Sequence, residues 1–249
     1  MKRQQFVSLA GSLAAASLPL AATARAPFAP GASVAEPSLF TTAAVRPGDW
    51  VQYIMGSGVQ YAKRIAFGRE RTREGLLSYI ETEIGGAGGS CNPNTVKKAY
   101  LRGADFGNLV TPHEALLFVQ KAGTAYNLWG GPGGEPLSKR DATFWLLDES
   151  YFYVRRRATI AAIASDRVRL RHRTVDAQRI TVEFPRAAAP ALKRLTVWRS
   201  AAVPLGVVKM HAEIAGADPF ELKLDFHGER YVSVVPMTLD ELRALNPSN

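Results

Sequence analysis

The sequence predicts a mainly β protein built on one large, curved antiparallel sheet, a half-barrel or incomplete barrel, with one or two short helices. Apolar and polar residues alternate over many segments from Asp49 onward. Glycine and proline separate these segments, and helix signals are few. Side chains of a strand point alternately to opposite faces, so this alternation is typical of strands with one buried and one wet face. The pattern indicates roughly ten to thirteen strands joined by turns, with neighbours along the chain in contact.

The alternation is clearest over residues 59–67 and 76–84. In the first segment the apolar positions include Val59, Tyr61 and Phe67. In the second, Leu76, Ile80 and Ile84 alternate with Leu77, Tyr79, Glu81 and Glu83, which predicts that the face carrying the two glutamates is wet. Further strand candidates are residues 49–55, 95–102, 124–129, 142–147 and 193–200.

Two hairpins can be placed in register from their apolar faces. The first pairs residues 167–173 with residues 178–184, sets Leu170 opposite Val182, and turns near Asp176. The second pairs residues 207–214 with residues 220–227. It sets Ala212 opposite Leu222, Met210 opposite Leu224 and Lys209 opposite Asp225, with a Gly- and Pro-containing loop over residues 215–219.

Helix signals occur at two places. Thr238 and Glu241 form a capping box, which predicts a helix near residues 239–245 with Leu242 and Leu245 on one face. Residues 111–114 form a similar box, with proline at the first helical position. The following residues 115–121 fit a short helix or a strand equally well.

The first residues have the layout of an export signal: a basic start, an apolar stretch and small residues before a cut after Ala24. We therefore expect a signal peptide over residues 1–24, a flexible proline-rich lead-in over residues 25–48, and a single β-rich domain over residues 49–249. The expected location is periplasmic or secreted. General secretion is the simpler route, and a degenerate twin-arginine pattern is the alternative.

The chain carries 31 lysine and arginine against 22 acidic residues, a net charge of +9. This surplus favours anionic partners and says nothing about the fold. An exported protein meets little nucleic acid, so we expect no such partner. The single cysteine, Cys91, excludes an internal disulfide and a CxxC redox site, so packing alone must hold the domain together.

No catalytic motif stands out, and we expect no enzyme activity, cofactor or metal. Cys91 follows a glycine-rich run without a nearby base, which favours a loop thiol over a nucleophile. The glycine runs lack the strand, helix and lysine of a phosphate loop. The predicted hairpin brings His211 and His227 toward each other on its wet face, where a metal site is conceivable, but solvated histidines are the simpler interpretation.

Two groups of residues are candidates for ligand binding. Aromatic side chains suited to an apolar cavity, or simply to a core, are Tyr126, Trp129, Phe144, Trp145, Tyr151 and Tyr153. Arginines at every second position, predicted to project from one strand face, are Arg167, Arg169, Arg171 and Arg173. Guanidinium groups bind phosphate and carboxylate bidentately, so this row suits anionic lipid headgroups or glycans, although it also fits a solvated, aggregation-resistant face.

The layout resembles the periplasmic lipoprotein-carrier (LolA-like) superfamily. The segment that carries the resemblance is residues 197–209, where Val197-Trp198-Arg199 is followed by a polar turn, a Pro-Leu-Gly step and the next strand. The resemblance implies an incomplete barrel whose hollow takes lipid acyl chains and whose open side is plugged by a helix. The leading hypothesis is therefore a non-enzymatic envelope protein that binds a lipid-like ligand. The alternative is an interaction protein that binds anionic membrane surfaces or glycans, and the oligomeric state is left open.

Overall fold

The computed structural model describes residues 28–39, 45–73, 75–87, 91–102, 113–122, 125–129, 137–140, 157–185 and 192–245. The predicted signal peptide and the strand candidate at residues 142–147 lie outside these ranges. The predicted signal peptide and domain boundaries therefore stay predictions. Part of the predicted flexible lead-in is ordered, however, since Ser33–Ala35 forms a strand and Leu39 is fully buried.

Within the described residues the chain is mainly β, as predicted. The strands are β1 (Ser33–Ala35), β2 (Trp50–Ser57), β3 (Val59–Thr72), β4 (Gly75–Ala87), β5 (Cys91–Arg102), β6 (His113–Ala122), β7 (Ala125–Trp129), β8 (Leu137–Arg140), β9 (Arg157–Arg169), β10 (Thr174–Glu183), β11 (Leu192–Arg199), β12 (Val207–Ile214) and β13 (Phe220–Gly228). The helix α1 spans Leu239–Leu245, and short 3-10 turns occur at Glu36–Leu39 and Pro204–Gly206.

All the described strands belong to one antiparallel sheet with the order β1-β9-β10-β11-β12-β13-β2-β3-β4-β5-β6-β7, and β8 pairs with β6. Two runs of neighbouring strands, β2–β7 and β9–β13, confirm the predicted neighbour-to-neighbour topology. The two runs meet where β13 pairs with β2, and β1 adds to β9 at one end. The described strands at the two ends do not pair with each other, so the sheet is open, as expected.

Apolar residues cover one face of the sheet and form the main core. Tyr53, Ile65 and Ile80 from the first run pack together with Val197 and Leu222 from the second. A smaller core lies on the opposite face, where Val235, Leu239 and Leu242 pack on Tyr79, Val96 and Tyr100. The sheet between β3 and β5 is therefore covered on both faces.

The predicted register of the first hairpin is wrong. Arg169 pairs with Thr174 and Ile163 pairs with Ile180, and the turn is closed by a 2.8 Å bond from the Leu170 amide to the Arg173 carbonyl. The reason lies in β10, whose buried positions change from Val175 and Ala177 to Ile180 and Val182. β10 therefore buries one face near the turn and the opposite face further along, whereas the prediction assumed that the same face is buried along the whole strand.

The second hairpin has the predicted faces in a shifted register. Met210 pairs with Leu222 and Ala212 with Phe220, so each partner lies two residues from the expected one. Lys209 accordingly lies opposite Lys223 instead of Asp225. A shift of two residues keeps every side chain on its predicted face, because the period of a strand is two.

The two helix signals have different outcomes. The C-terminal helix forms where predicted, with Leu242 buried, but Leu245 is 63% exposed and lies off the buried face, which Leu239 completes. Residues 115–121, whose sequence fits a helix or a strand equally well, form part of strand β6. Across the described parts of the chain, the structure contains no helix long and apolar enough to cross a membrane.

The capping box at α1 predicts a pH-dependent stability. The Glu241 carboxylate accepts bonds from the Thr238 amide (2.7 Å) and hydroxyl (2.9 Å), which hold the pKa of Glu241 below its usual value of 4.5. This stabilisation is complete above pH 4.5 and is lost as the pH falls through the lowered pKa. We expect the stability difference between the natural chain and Glu241→Gln, measured by thermal unfolding, to shrink in acid. A difference that is constant between pH 3 and pH 7 would contradict this.

Candidate functional site

The predicted arginine row is divided between two structural elements. Arg167 and Arg169 lie on β9, whereas Arg171 and Arg173 lie in the turn that follows. The prediction that one strand face carries all four is wrong, because β9 ends at Arg169. All four side chains are exposed, so the row remains available to solvent.

The end of the β9–β10 hairpin bends back onto β13 and β2 and creates a groove. The groove has a volume of about 350 Å³ and is lined by Ile54, Arg169, Leu170, Arg171, Lys223, Leu224 and Asp225. Leu170 and Leu224 are buried and form an apolar floor. The cations of Arg169, Arg171 and Lys223 surround this floor, which gives the groove an amphipathic lining.

Contacts with the end of β13 hold the hairpin in this position. The rings of His172 and Phe226 lie 5.3 Å apart, and the Arg171 guanidinium lies 5.8 Å from the Phe226 ring centre. A register shift in the pairing of β13 with β2 lies between Leu224 and Phe226, beside these contacts. These contacts fix one wall of the groove against the other.

A histidine–arginine contact completes this wall. The Arg173 guanidinium donates to Nε2 of His227, which must therefore be unprotonated at that nitrogen. Burial lowers the pKa of His227, the positive charge of Arg173 lowers it further, and Asp49 opposes both effects. His227 is therefore uncharged at neutral pH, and the positive charge of the groove comes from Arg169, Arg171 and Lys223.

The groove has a surplus of positive charge. Its one carboxylate, Asp225, accepts a 3.1 Å hydrogen bond from the Gln52 amide. Among the described residues, Arg169, Arg171 and Lys223 take part in no ion pair, in contrast to Arg167, which pairs with Asp176 at 3.3 Å. The groove therefore has three cations against one carboxylate.

A second, wider cleft lies on the other side of the hairpin. It measures about 720 Å³ and is lined by Asp166, Arg167, Asp176 and Arg199 together with uncharged residues. Its charges balance. Asp166 is also engaged, because a 2.9 Å bond from the Trp198 indole holds the pKa of its carboxyl below the usual value. The cleft therefore lacks the positive bias of the groove.

The aromatic candidates are not brought together by any described contact. Tyr126 and Trp129 lie on β7, whose strand bounds are described but whose side chains are not. Phe144, Trp145, Tyr151 and Tyr153 lie outside the described residues. An aromatic ligand cavity therefore stays a prediction.

The cysteine and the histidines take different places from those expected. Cys91 is the first residue of β5 and pairs with Gly85, whereas a loop position was predicted. His211 bonds Glu221 through Nδ1 at 3.1 Å, and His227 faces the hairpin end instead of His211. No group of three or more potential metal ligands occurs in the described portion of the chain.

Sequence reasoning missed a buried charged network on β3, β4 and β5. Glu81 and Glu83 alternate with the core residues of β4 and were predicted to face water, yet their exposures are 0% and 2%. Lys98 on β5, opposite Glu81, is only 1% exposed. A segment far along the chain covers this face, which the alternation within β4 cannot reveal.

The covering segment comprises residues 231–245, here called the C-terminal strap. The Tyr231 hydroxyl shares its proton between Glu81 and Glu83, at 2.7 Å from each. The Ser233 hydroxyl (2.5 Å) and the Val234 amide (2.9 Å) donate to Glu81. Burial, followed by the Glu81 charge, raises the pKa of Tyr231 well above its usual value, so the phenol stays a donor.

A second part of the network surrounds Glu70. Its carboxylate accepts bonds from the Lys98 ammonium (2.8 Å), the Tyr100 hydroxyl (2.9 Å) and the Leu239 amide (2.6 Å). The Lys98 ammonium also lies 4.1 Å from the Tyr79 ring centre, a cation–π distance. Burial and the charges of Glu81 and Glu70 raise the pKa of Tyr79 to about 12.

Glu83 links the network to the groove side of the sheet. Arg64 holds both Glu83 oxygens at 3.1 Å and bonds the Gln52 carbonyl at 2.9 Å. Gln52 in turn donates to Asp225 in the groove. A continuous chain of hydrogen bonds therefore joins the strap to the groove.

Comparison with known proteins gives little help with function. No protein-family model matches the chain, and no curated protein is similar at a significant level. Three solved structures overlap with it weakly. A predicted lipoprotein from Parabacteroides distasonis is 10% identical with a TM-score of 0.34, over 76% of this chain and 98% of its own.

The other two structures overlap to a similar degree. A predicted exported protein with a YmcC-like fold from Bacteroides fragilis is 10% identical with a TM-score of 0.34, over 76% of this chain and 99% of its own. The hypothetical protein CT021 from Chlamydia trachomatis is 11% identical with a TM-score of 0.36, over 83% and 98%. None of the three descriptions names the lipoprotein carriers. At these scores the function has to be argued from the chain itself.

Proposed function

We propose that this chain is a non-enzymatic, exported envelope protein that binds an anionic amphiphile at the groove between the β9–β10 hairpin and β13. The proposal joins the two sequence-based hypotheses, a lipid-like ligand and an arginine-bound anion, at one place. The observation that supports it is the combination of Arg169, Arg171 and Lys223 with a floor of Leu170 and Leu224.

The chemistry of the lining favours an anionic headgroup with its first carbons. Paired guanidinium groups bind phosphate or carboxylate through charge-assisted bonds, which are stronger than neutral ones. The apolar floor gains from contact with methylene groups instead of water. A volume of about 350 Å³ lies at the small end of ligand sites. It suits a headgroup and the start of a chain, with the rest of the amphiphile in a membrane.

Binding to vesicles tests this proposal. Arg169→Gln with Arg171→Gln is expected to weaken binding to phosphatidylglycerol vesicles at least about tenfold, since two charge-assisted contacts are lost. Co-sedimentation at several salt concentrations measures the affinity, and its salt dependence should also decrease in the variant. The natural chain should bind phosphatidylcholine vesicles weakly.

A charge-matched variant provides the control. Arg69→Gln with Arg71→Gln removes the same two charges from exposed positions on β3 that do not line the groove. This control is expected to keep most of the affinity. Equal losses in both double variants would show that net charge alone attracts the vesicles. Equally tight binding of an acidic polysaccharide would give the apolar floor no role and would contradict an amphiphile as ligand.

A further inference from the structure

The C-terminal strap is joined to the sheet by a short hinge with a strained residue. β13 ends at Gly228, and the strap contacts begin at Tyr231. Between them lie Glu229 and Arg230, both exposed, and Arg230 has a φ of 62°. A residue with a side chain is disfavoured in this left-handed region, so the closed hinge stores strain. The Tyr231 amide, bonded to the Gly48 carbonyl at 2.8 Å, holds the turn in place.

Every anchoring contact of the strap lies beyond this hinge. The carboxylates of Glu81, Glu83 and Glu70 receive donors from residues 231–239, as described above. The Arg73 amide donates to Asp240 at 2.9 Å, and Val235, Leu239 and Leu242 fill the smaller core. The surface under the strap therefore binds one extended segment and one helix through specific contacts. Only the two residues of the hinge connect the strap to β13.

We propose that this surface on β3–β5 is an interaction site for the C-terminal strap of a second copy of the chain, giving a dimer by reciprocal strap exchange. The occupant must match three carboxylates, a lysine and an apolar strip, and this chain's own strap does so. Exchange re-forms every strap contact between copies and changes only the hinge. An extended hinge removes the left-handed conformation of Arg230, and strained short hinges favour such exchange. The proposal does not depend on the groove.

Shortening the hinge tests the proposal. Deletion of Glu229 and Arg230 leaves too little chain for the strap to fold back on its own sheet. We expect the deleted protein to be a folded dimer by size-exclusion chromatography with light scattering, while the natural chain is mainly monomeric when dilute. A folded monomer with a protease-sensitive strap would overturn the proposal.

Variants with the full hinge length keep the test valid if the deletion prevents folding. Arg230→Gly accepts the positive φ, so its dimer fraction after refolding at high concentration should be at least about fivefold lower than that of the natural chain. Tyr231→Phe weakens the anchor and should speed the dissociation of the dimer on dilution. Equal dimer fractions for the natural chain and Arg230→Gly, or dissociation unaffected by Tyr231→Phe, would overturn strap exchange.

Discussion

Replacement of Glu81 by alanine is expected to lower the free energy of unfolding by about 3–5 kcal/mol. The Val234 amide loses its carboxylate acceptor, and the Tyr231 and Ser233 hydroxyls keep only their second acceptors, Glu83 and the Val235 carbonyl. Each lost hydrogen bond to a charged acceptor costs about 1.5–3 kcal/mol, and detachment of the strap limits the sum. Urea denaturation measures the effect.

An exposed glutamate supplies the control for this variant. Glu183 on β10 is exposed and pairs with Arg194 at 3.1 Å. Glu183→Ala should cost less than about 1 kcal/mol, because water replaces an exposed ion pair at little cost. Similar losses for the two variants would show that the strap is not anchored by Glu81. Glu81→Gln should lie between the two, since the amide keeps one oxygen acceptor.

The second large effect is expected for Lys98→Met, with a loss of about 3 kcal/mol. The variant keeps the length and the apolar stem of the lysine but leaves the Glu70 carboxylate without its cation, 2.8 Å away in the native chain. It also removes the cation from the Tyr79 ring. Chemical denaturation gives the loss, which should exceed that of the exposed Arg194→Met.

A double-mutant cycle separates the ion pair from simple packing. Adding Glu70→Gln to Lys98→Met removes the uncompensated charge, so part of the lost stability should return. Tyr100 and Leu239 donate to different oxygens of Glu70, so the single carbonyl oxygen of glutamine can keep only one of these two bonds. If the two losses simply add, Glu70 does not depend on Lys98 and the buried ion pair has no special role.

The sequence-based predictions succeeded where the structure depends on residues close together in the chain and failed where it depends on distant ones. The mainly β character, the strands of the second hairpin and the capping box at Thr238 depend on residues that are neighbours in the chain, and all were found. Registers depend on which residues are buried, and β10 changes its buried face between Ala177 and Ile180. The apolar residues of β10 change spacing at the same place, but the prediction assigned Val175 and Ala177 to the loop and so missed the change.

The candidate sites depend even more on contacts between residues that are far apart in the sequence. Spacing correctly predicted exposed arginines at Arg167 and Arg169, but the groove exists only because the hairpin end reaches β13. Glu81 and Glu83 have the periodicity of a wet strand face, and they are buried by residues about 150 positions later. The capping box was the only feature of the strap sequence that was used. It predicts that a helix forms, but not the surface on which this helix packs.

The pairing of β13 with β2 has a consequence for how the chain reaches its fold. Trp50 lies opposite Gly228, so this seam closes a loop that contains most of the chain. Loop closure of this size is slow, and strands near the two ends of a chain pair late. During synthesis β2 is made long before its partner β13, so the backbone groups on that side of β2 stay unpaired until β13 is available. The described sheet can therefore be completed only after β13 has been made.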